Sequence, residues 1–360
     1  MNSVTKYDVI MKRLNYSERD LLQYALGGLM YTPAHNQTIA GKLISKKNKY
    51  LHAMVFCLED AIADGTEEAA LRQLSCSFDQ LGKAVSDKTV QPNDLPYLFV
   101  RVKYPKQMRK VYELIGYHGL LKGFVFPKFD CENSNDYLSE LQYANSISDR
   151  KLYGMPILES GNIISIENRI SQLVSIKEAL DDSKNTILNV RIGGNDFCNA
   201  FGIRRGINNT IYDVRVISDI ISDIVNVFAR EYVVSAPVWE YFASKDDTSD
   251  LWAQGLKREA EYDILNGLIG KTAIHPTQLP IIDEALAVSA DDYNDSINIL
   301  NWNNDLLAVS KSHSGNRMNE QKVHNNWAKK IIMRSAIYGI KEECREKKFE
   351  RATMKIKDHS

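Results

Sequence analysis

Two acidic residues stand at the ends of two apolar runs in the middle of the chain. Glu159 closes LYGMPIL and Asp196 closes TILNVRIGGN. Runs of apolar and β-branched residues bounded by Gly, Ser and Asn read as short strands buried on both faces of a parallel sheet. Each carboxylate then leaves at the C-terminal end of a strand. One helix-length segment separates the runs, which makes the strands neighbours and lets both carboxylates face one ion. Two readings fit this spacing. The pair can hold a hard divalent cation that keeps waters and takes a substrate oxygen, Mg2+ in the first instance and Mn2+ as its alternative. Or Glu159 and Asp196 are helix N-caps or ion-pair partners of Arg101. Gly193 and Gly194 leave space beside Asp196, and a turn of this kind also cradles phosphate.

Other polar residues punctuate the ends of apolar runs: His35, Glu59, Asp60, Arg101, Lys128 and His275. Arg101 offers a planar fork of donors that suits the carboxylate of a 2-oxo or 2-hydroxy acid; a structural ion pair with Glu59 or Asp60 fits as well. His35 and His275 each lie beside a proline-containing turn, where a histidine serves as a hydrogen-bonded structural residue or as a base.

The elements that must position these tips follow from periodicity. Ser17 reads as the N-cap of a polar helix within residues 1–26. Eight short apolar runs follow: GGLMYTP, HAMVFCLED, LPYLFVRVK, GFVFPKF, LYGMPILES, TILNVRIGGND, YVVSAP and GLIGKTAIHP. Helical segments alternate with them. A helix is predicted over 37–49, another over Thr66–Lys83, and a third carries Met108, Val111, Tyr112 and Ile115 as one stripe. Further helices are predicted over Asp213–Arg230, with Ile217, Ile220, Ile221, Ile224 and Phe228 inward, and over Leu251–Leu265. Eight βα units of this size predict a closed (β/α)8 barrel whose strand tips open on one active face. An open doubly wound sheet lacks support, since no GxGxxG turn follows the first strand. The expected division is a barrel with its helical lead-in over 1–280 and a helical C-terminal extension over 281–360, ending in a charged, solvated tail.

Composition narrows the functional classes. Of 360 residues, 45 are Lys or Arg and 46 Asp or Glu, a net charge of −1 that gives nucleic acid or an anionic membrane no global attraction. The five cysteines form no CxxC pair, so reduced thiols in a cytoplasmic protein are expected rather than a disulfide framework or zinc site. The N-terminus lacks an apolar h-region and no run reaches membrane-span length. Trp302, Trp327 and Tyr338 in the C-terminal helices suggest a homo-oligomer, against packing within the chain itself.

The ordered set VFCLED, FVRVK, GFVFPK, PILESG, IGGND and GKTAIHPTQ resembles the superfamily of citrate lyase β-subunits, malyl-CoA lyases and class II 2-keto acid aldolases. With YTPAHN, it is similar to the branch of carbon–carbon bond lyases found near tellurium-resistance genes. The resemblance covers roughly residues 28–330. It implies a TIM barrel in which Glu159 and Asp196 ligate the metal, Arg101 holds the substrate carboxylate, and Glu59 and Asp60 support the arginine and metal waters. Lys271 and His275 fall in the segment that closes such barrels. The sequence departs from this pattern in several places. Asn319, in GNRMNE, stands where acyl-CoA members bring a catalytic aspartate. Cys57 replaces an aspartate, Asp60 a histidine and Lys103 an asparagine.

The expected site comprises Arg101, Glu59, Asp60 and His35 as catalytic residues, Arg101, Gly193, Gly194 and Pro237 around the substrate, and Glu159 and Asp196 on the metal. The expected function is a Mg2+-dependent lyase or aldolase acting on a metal-chelated 2-oxo or hydroxy acid, with a CoA thioester as a further partner. The alternatives are a biosynthetic carbon–carbon bond former with a non-CoA partner and a non-catalytic barrel that binds metal and oxo acid.

Overall fold

The computed structural model describes residues 17–45, 48–244, 249–302 and 307–341. These fall into two compact units, a barrel over Ser17–Ala285 and a second unit that begins at Leu286.

The barrel opens with α1 (Glu18–Leu22), capped as its sequence requires. Asp20 N donates to Ser17 Oγ at 3.2 Å and Ser17 N donates back to Asp20 Oδ2 at 2.9 Å. Then β1 (Gly28–Pro33), α2 (Ile39–Ser45), β2 (Ala53–Cys57), α3 (Glu67–Ser86), β3 (Tyr97–Arg101), α4 (Gln107–Ile115), β4 (Leu121–Phe126), α5 (Ser134–Ile147) and β5 (Tyr153–Leu158) alternate. Two helices, α6 (Gly161–Ile164) and α7 (Arg169–Asp182), fill the crossover to β6 (Val190–Ile192), where the sequence predicts one. After α8 (Gly194–Ala200) and α9 (Arg215–Phe228) come β7 (Val234–Ser235), α10 (Leu251–Leu265), β8 (Lys271–Ala273) and α11 (Leu279–Leu286).

All eight strands run parallel in the order β7-β6-β5-β4-β3-β2-β1-β8. A bridge between Ala236 and Lys271 brings β7 against β8 and closes the circle. The fold is the (β/α)8 barrel that the alternation predicts. Its inner wall is apolar on the β1–β5 side, where Leu29, Val55, Phe99, Val125 and Met155 meet. Leu22 and Leu26 join the same cluster, so the lead-in segment packs into the barrel core. Arg19 Nε anchors it to Ile187 O at 2.9 Å, just before β6.

Helix faces follow their stripes: Met108, Val111 and Ile115 are buried on α4, and Ile217, Ile220, Ile221, Ile224 and Phe228 on α9. Thr66 occupies the N-cap position of α3 without capping it; its hydroxyl donates back to Ala63 O.

The second unit pairs α12 (Ala290–Leu300), capped by Ser289, with α13 (Asn325–Tyr338). Between them an antiparallel hairpin of β9 (Val309–Lys311) and β10 (Met318–Glu320) replaces the purely helical extension that the sequence predicts. Its connection contains Gly315 at φ +73°, a conformation that favours glycine. Trp302 donates to Leu307 O and Trp327 stacks on Arg317, so both aromatics have partners in their own chain. The charged tail and Cys344 lie outside the described residues. No described helix is long and apolar enough to cross a membrane.

Candidate active site

The C-terminal ends of β2 to β6 converge on one cluster of charged side chains. Glu159 follows β5, is 5% exposed, and accepts from Lys128 N at 3.0 Å. Asp196 leaves not from a strand tip, as its run suggests, but from the first turn of α8. There Gly193 and Gly194 turn the chain directly from β6 into the helix. A Cβ on Gly193 would overlap Glu159 Oε2, and one on Gly194 would meet Ile211 and the buried Pro237. The two glycines therefore allow close approach to Glu159 and to the β7 tip.

With its backbone this near, Asp196 faces Glu159 closely enough for the protonated form of one carboxyl to hydrogen-bond the other. Burial, then the Asp196 charge, push the Glu159 carboxyl up to about 8. Burial, then Asp60, raise Asp196 as well. Two neighbouring carboxyl groups raised together by burial and by each other's surroundings mark a place suited to a cation. The N-cap alternative does not describe them, since neither side chain caps a helix.

Arg101 ends β3. Its Nη2 lies 3.1 Å from Glu59 Oε2 and 3.5 Å from Asp60 Oδ2, so the ion pair that sequence allowed is present. Its Nε and Nη2 also point at Cys57 Sγ, at 3.2 and 3.1 Å, and Glu59 N donates to the same sulfur at 3.3 Å. Cys57, in register with Arg101, thus contacts the arginine from the position where the resemblance has an aspartate. Tyr31 of β1 packs its ring 5.4 Å from the guanidinium carbon. Burial alone would lower the Arg101 pKa, but Cys57, Tyr31 and Glu59 outweigh it and raise it.

Lys128 is the member that the expected site leaves out. It follows β4 at φ +49°, an uncommon conformation for a residue with a side chain. Asn133 Nδ2 holds its carbonyl at 2.8 Å. The strained turn serves both ends of the residue: its N–H reaches Glu159, and its Nζ lies 2.8 Å from Glu59 Oε1 and 3.7 Å from Asp60 Oδ1. The Glu59 hydrogen bond chiefly raises its pKa, which keeps the ammonium charged. PK after an apolar run marks a strand end, but nothing in the sequence shows that both its nitrogens turn inward.

His35 is exposed on the turn after β1, and none of the hydrogen bonds or ion pairs of the cluster runs through it. His275 caps the 3-10 turn after β8, accepts from Thr277 N and stacks on Phe242 at 4.7 Å, a structural role. Lys271 Nζ is held by Glu259 and Asp263 of α10, both at 2.8 Å, and so points to the outer helices. Asn319 is buried on β10 of the second unit.

Among the described residues no group of three or more His, Cys, Asp and Glu side chains is arranged to hold a metal. The Glu159–Asp196 pair nevertheless suits a Mg2+ ion that fills the rest of its shell with water and substrate oxygens, as that ion prefers. Glu59 Oε2, buried and ion-paired to Arg101 without a hydrogen bond, has a free acceptor for a metal-bound water.

A family model described as carbon–carbon bond lyase of the TIM-barrel fold matches residues 20–340. Among solved structures, the chain is similar to protein CitE from Mycobacterium tuberculosis in complex with magnesium, acetoacetate and coenzyme A. The identity is 15%, the match covers 87% of this chain and 99% of that one, and the TM-score is 0.57. RipC from Yersinia pestis is 17% identical, with 74% and 98% covered and a TM-score of 0.50. These likenesses concern the fold. No curated protein matches the chain.

Proposed function

Since the chain belongs to the carbon–carbon bond lyases of the TIM-barrel fold, we propose that it is a Mg2+-dependent lyase or aldolase acting on a 2-oxo or 2-hydroxy acid. The observation that carries this reading is the pair of the buried Glu159 and the half-buried Asp196, whose carboxyl groups are both raised by burial and neighbouring acids and which together suit a divalent cation. Mg2+ bound there supplies a Lewis acid for an oxygen on which negative charge develops as the neighbouring carbon–carbon bond breaks or forms.

The remaining chemistry belongs to the chain. Arg101, held by contacts with Cys57, Glu59 and Tyr31, orients the substrate carboxylate. Lys128 stays protonated and offsets charge on the acidic side of the site; as a cation it is no base. Glu59, ion-paired to Arg101 and Lys128, and the more exposed Asp60 are the other carboxylates of the cluster, and we assign the proton-transfer step to neither. The exposed His35 is set apart from them, so we give it no step. Pro237 and Gly194 form the wall toward β7, and their packing keeps the Asp196 turn close to Glu159.

Calorimetry tests this reading. Glu159→Gln and Asp196→Asn are expected to fold and to lose Mg2+ binding, whereas retained affinity in either variant overturns it. Metal-dependent deuterium exchange into pyruvate reports enolisation and separates an enzyme from a barrel that only binds.

A second reading concerns the partner. Asn319 is 4% exposed on the hairpin of the second unit, and an amide cannot accept a proton as the aspartate of acyl-CoA members does. This favours a carbon–carbon bond former whose partner is no CoA thioester; turnover confined to thioesters refutes it.

A further inference from the structure

Arg191 is a cation inside the barrel with no acid to answer it. It lies on β6 in register with Ile157 of β5 and is 1% exposed. Its Nη2 donates to Thr272 Oγ1 of β8 at 2.9 Å. Thr272 is in register with Leu29 of the interior cluster. The side chain therefore runs within the barrel rather than toward the outer helices.

Its remaining polar neighbour is Tyr31, the titratable side chain that faces the guanidinium and comes near enough to hydrogen-bond it, with no carboxylate among the described residues. Nε and Nη1 are buried without a partner of good hydrogen-bond geometry, and the charge has no acid to answer it. Arg169, Arg205 and Lys271, the other buried cations of the barrel unit among the described residues, each pair with a carboxylate: Asp223 at 2.9 Å, Glu259 at 3.2 Å, and Glu259 with Asp263 at 2.8 Å. A guanidinium cannot escape burial by losing its proton, as a lysine or histidine does. An unpaired buried charge is among the least favourable groups an interior can hold. A water would satisfy one N–H, yet would leave the charge.

The position relates this cation to the site above it. Ile157 precedes Glu159 by two residues, so Arg191 starts about 6.6 Å back along the strand from the level of the Glu159 carboxylate, on the interior side. Tyr31 lies between the two levels: it packs on Arg101 and feels Arg191, Arg101 and Glu159 together. A ligand chelated at Glu159 and Asp196 that extends past Tyr31 meets Nε and Nη1 of Arg191.

We propose that Arg191 is a specificity-determining residue that binds a second carboxylate of the substrate, which makes the ligand class a short 2-oxo or 2-hydroxy dicarboxylic acid. This rests on the reading above, in which the first carboxylate and its adjacent oxygen are chelated at Glu159 and Asp196. A charge inside an apolar strand, VRI in ILNVRIGG, is the sequence signal that marks it.

The test is calorimetry on the Mg2+-loaded full-length protein with racemic malate and racemic lactate, which share the 2-hydroxy acid end and differ by one carboxylate. The wild type is expected to bind malate roughly 30-fold or more tightly than lactate. Arg191→Met is expected to abolish that ratio while Mg2+ and lactate affinities stay unchanged, and to melt no lower than the wild type, since it removes an unpaired charge at similar volume. A wild type without preference, or a preference kept in Arg191→Met, overturns the assignment.

Should Arg191→Met not fold, Arg191→Lys decides. A lower malate-to-lactate ratio supports the role, whereas an unchanged ratio with a lower melting temperature shows a structural arginine and refutes it. Failure of the wild type to bind Mg2+ overturns the metal reading itself, and this assignment with it. Mg2+ binding without discrimination sinks only Arg191.

Discussion

At the scale of single residues, the site is built from close approaches. The Glu159 carboxylate has its place because residue 193 lacks a Cβ, and because the Lys128 turn presents an N–H at φ +49°. Gly193→Ala is therefore expected to displace Glu159 and to weaken Mg2+ binding by about 10-fold or more in calorimetry, the range seen when groups supporting a metal ligand are lost. Gly161→Ala, whose Cβ would meet open space, is the control and is expected to leave the affinity unchanged. Glu159 and Asp196 were legible in the sequence as acids after apolar runs. The Cys57 sulfur, which collects three N–H groups, was legible only as a departure from an expected aspartate, because a thiol in a buried strand looks like any small apolar residue.

At the scale of elements, the strands and most helices follow from apolar spacing, and the exceptions have physical causes. Asp196 belongs to a helix because two glycines let the chain turn at once after β6, which shortens the strand to Val190–Ile192. The hairpin of the second unit was not foreseen; its strands are three residues each and β9 is exposed throughout, too short and too polar for alternation to register. Lys271 ties β8 to α10 through Glu259 and Asp263, and burial raises the Asp263 carboxyl to about 6 in spite of the lysine. Arg205 shares Glu259 at 3.2 Å. Lys271→Met removes the central cation and leaves an acid buried without compensation. We expect a loss of about 3–5 kcal/mol in urea unfolding.

At the scale of the whole molecule, the Glu159–Asp196 pair sets how stability depends on pH. In the metal-free protein Glu159 holds its proton up to about 8, against an ordinary 4.5. The folded state thus binds more protons than the unfolded one between those values. Its contribution is complete below the ordinary carboxylate range and is lost as pH rises through about 8. Thermal melts of the metal-free protein are expected to fall over that interval. Saturating Mg2+ is expected to flatten the fall, because it binds the folded state and neutralises the pair. Glu159→Gln is expected to flatten it without metal; a flat wild-type curve would contradict the burial of an uncompensated acid.

The sequence by itself determined the eightfold alternation, the face on which the tips open and most of the residues that gather there, because strand and helix periods depend on local spacing. Tertiary structure alone decided which tips touch. It turned Lys128 inward, left His35 exposed, sent Lys271 to the outer helices and enclosed Arg191 without a counter-charge. These are contacts between residues far apart in the chain, set by barrel closure and register, and no local pattern encodes them.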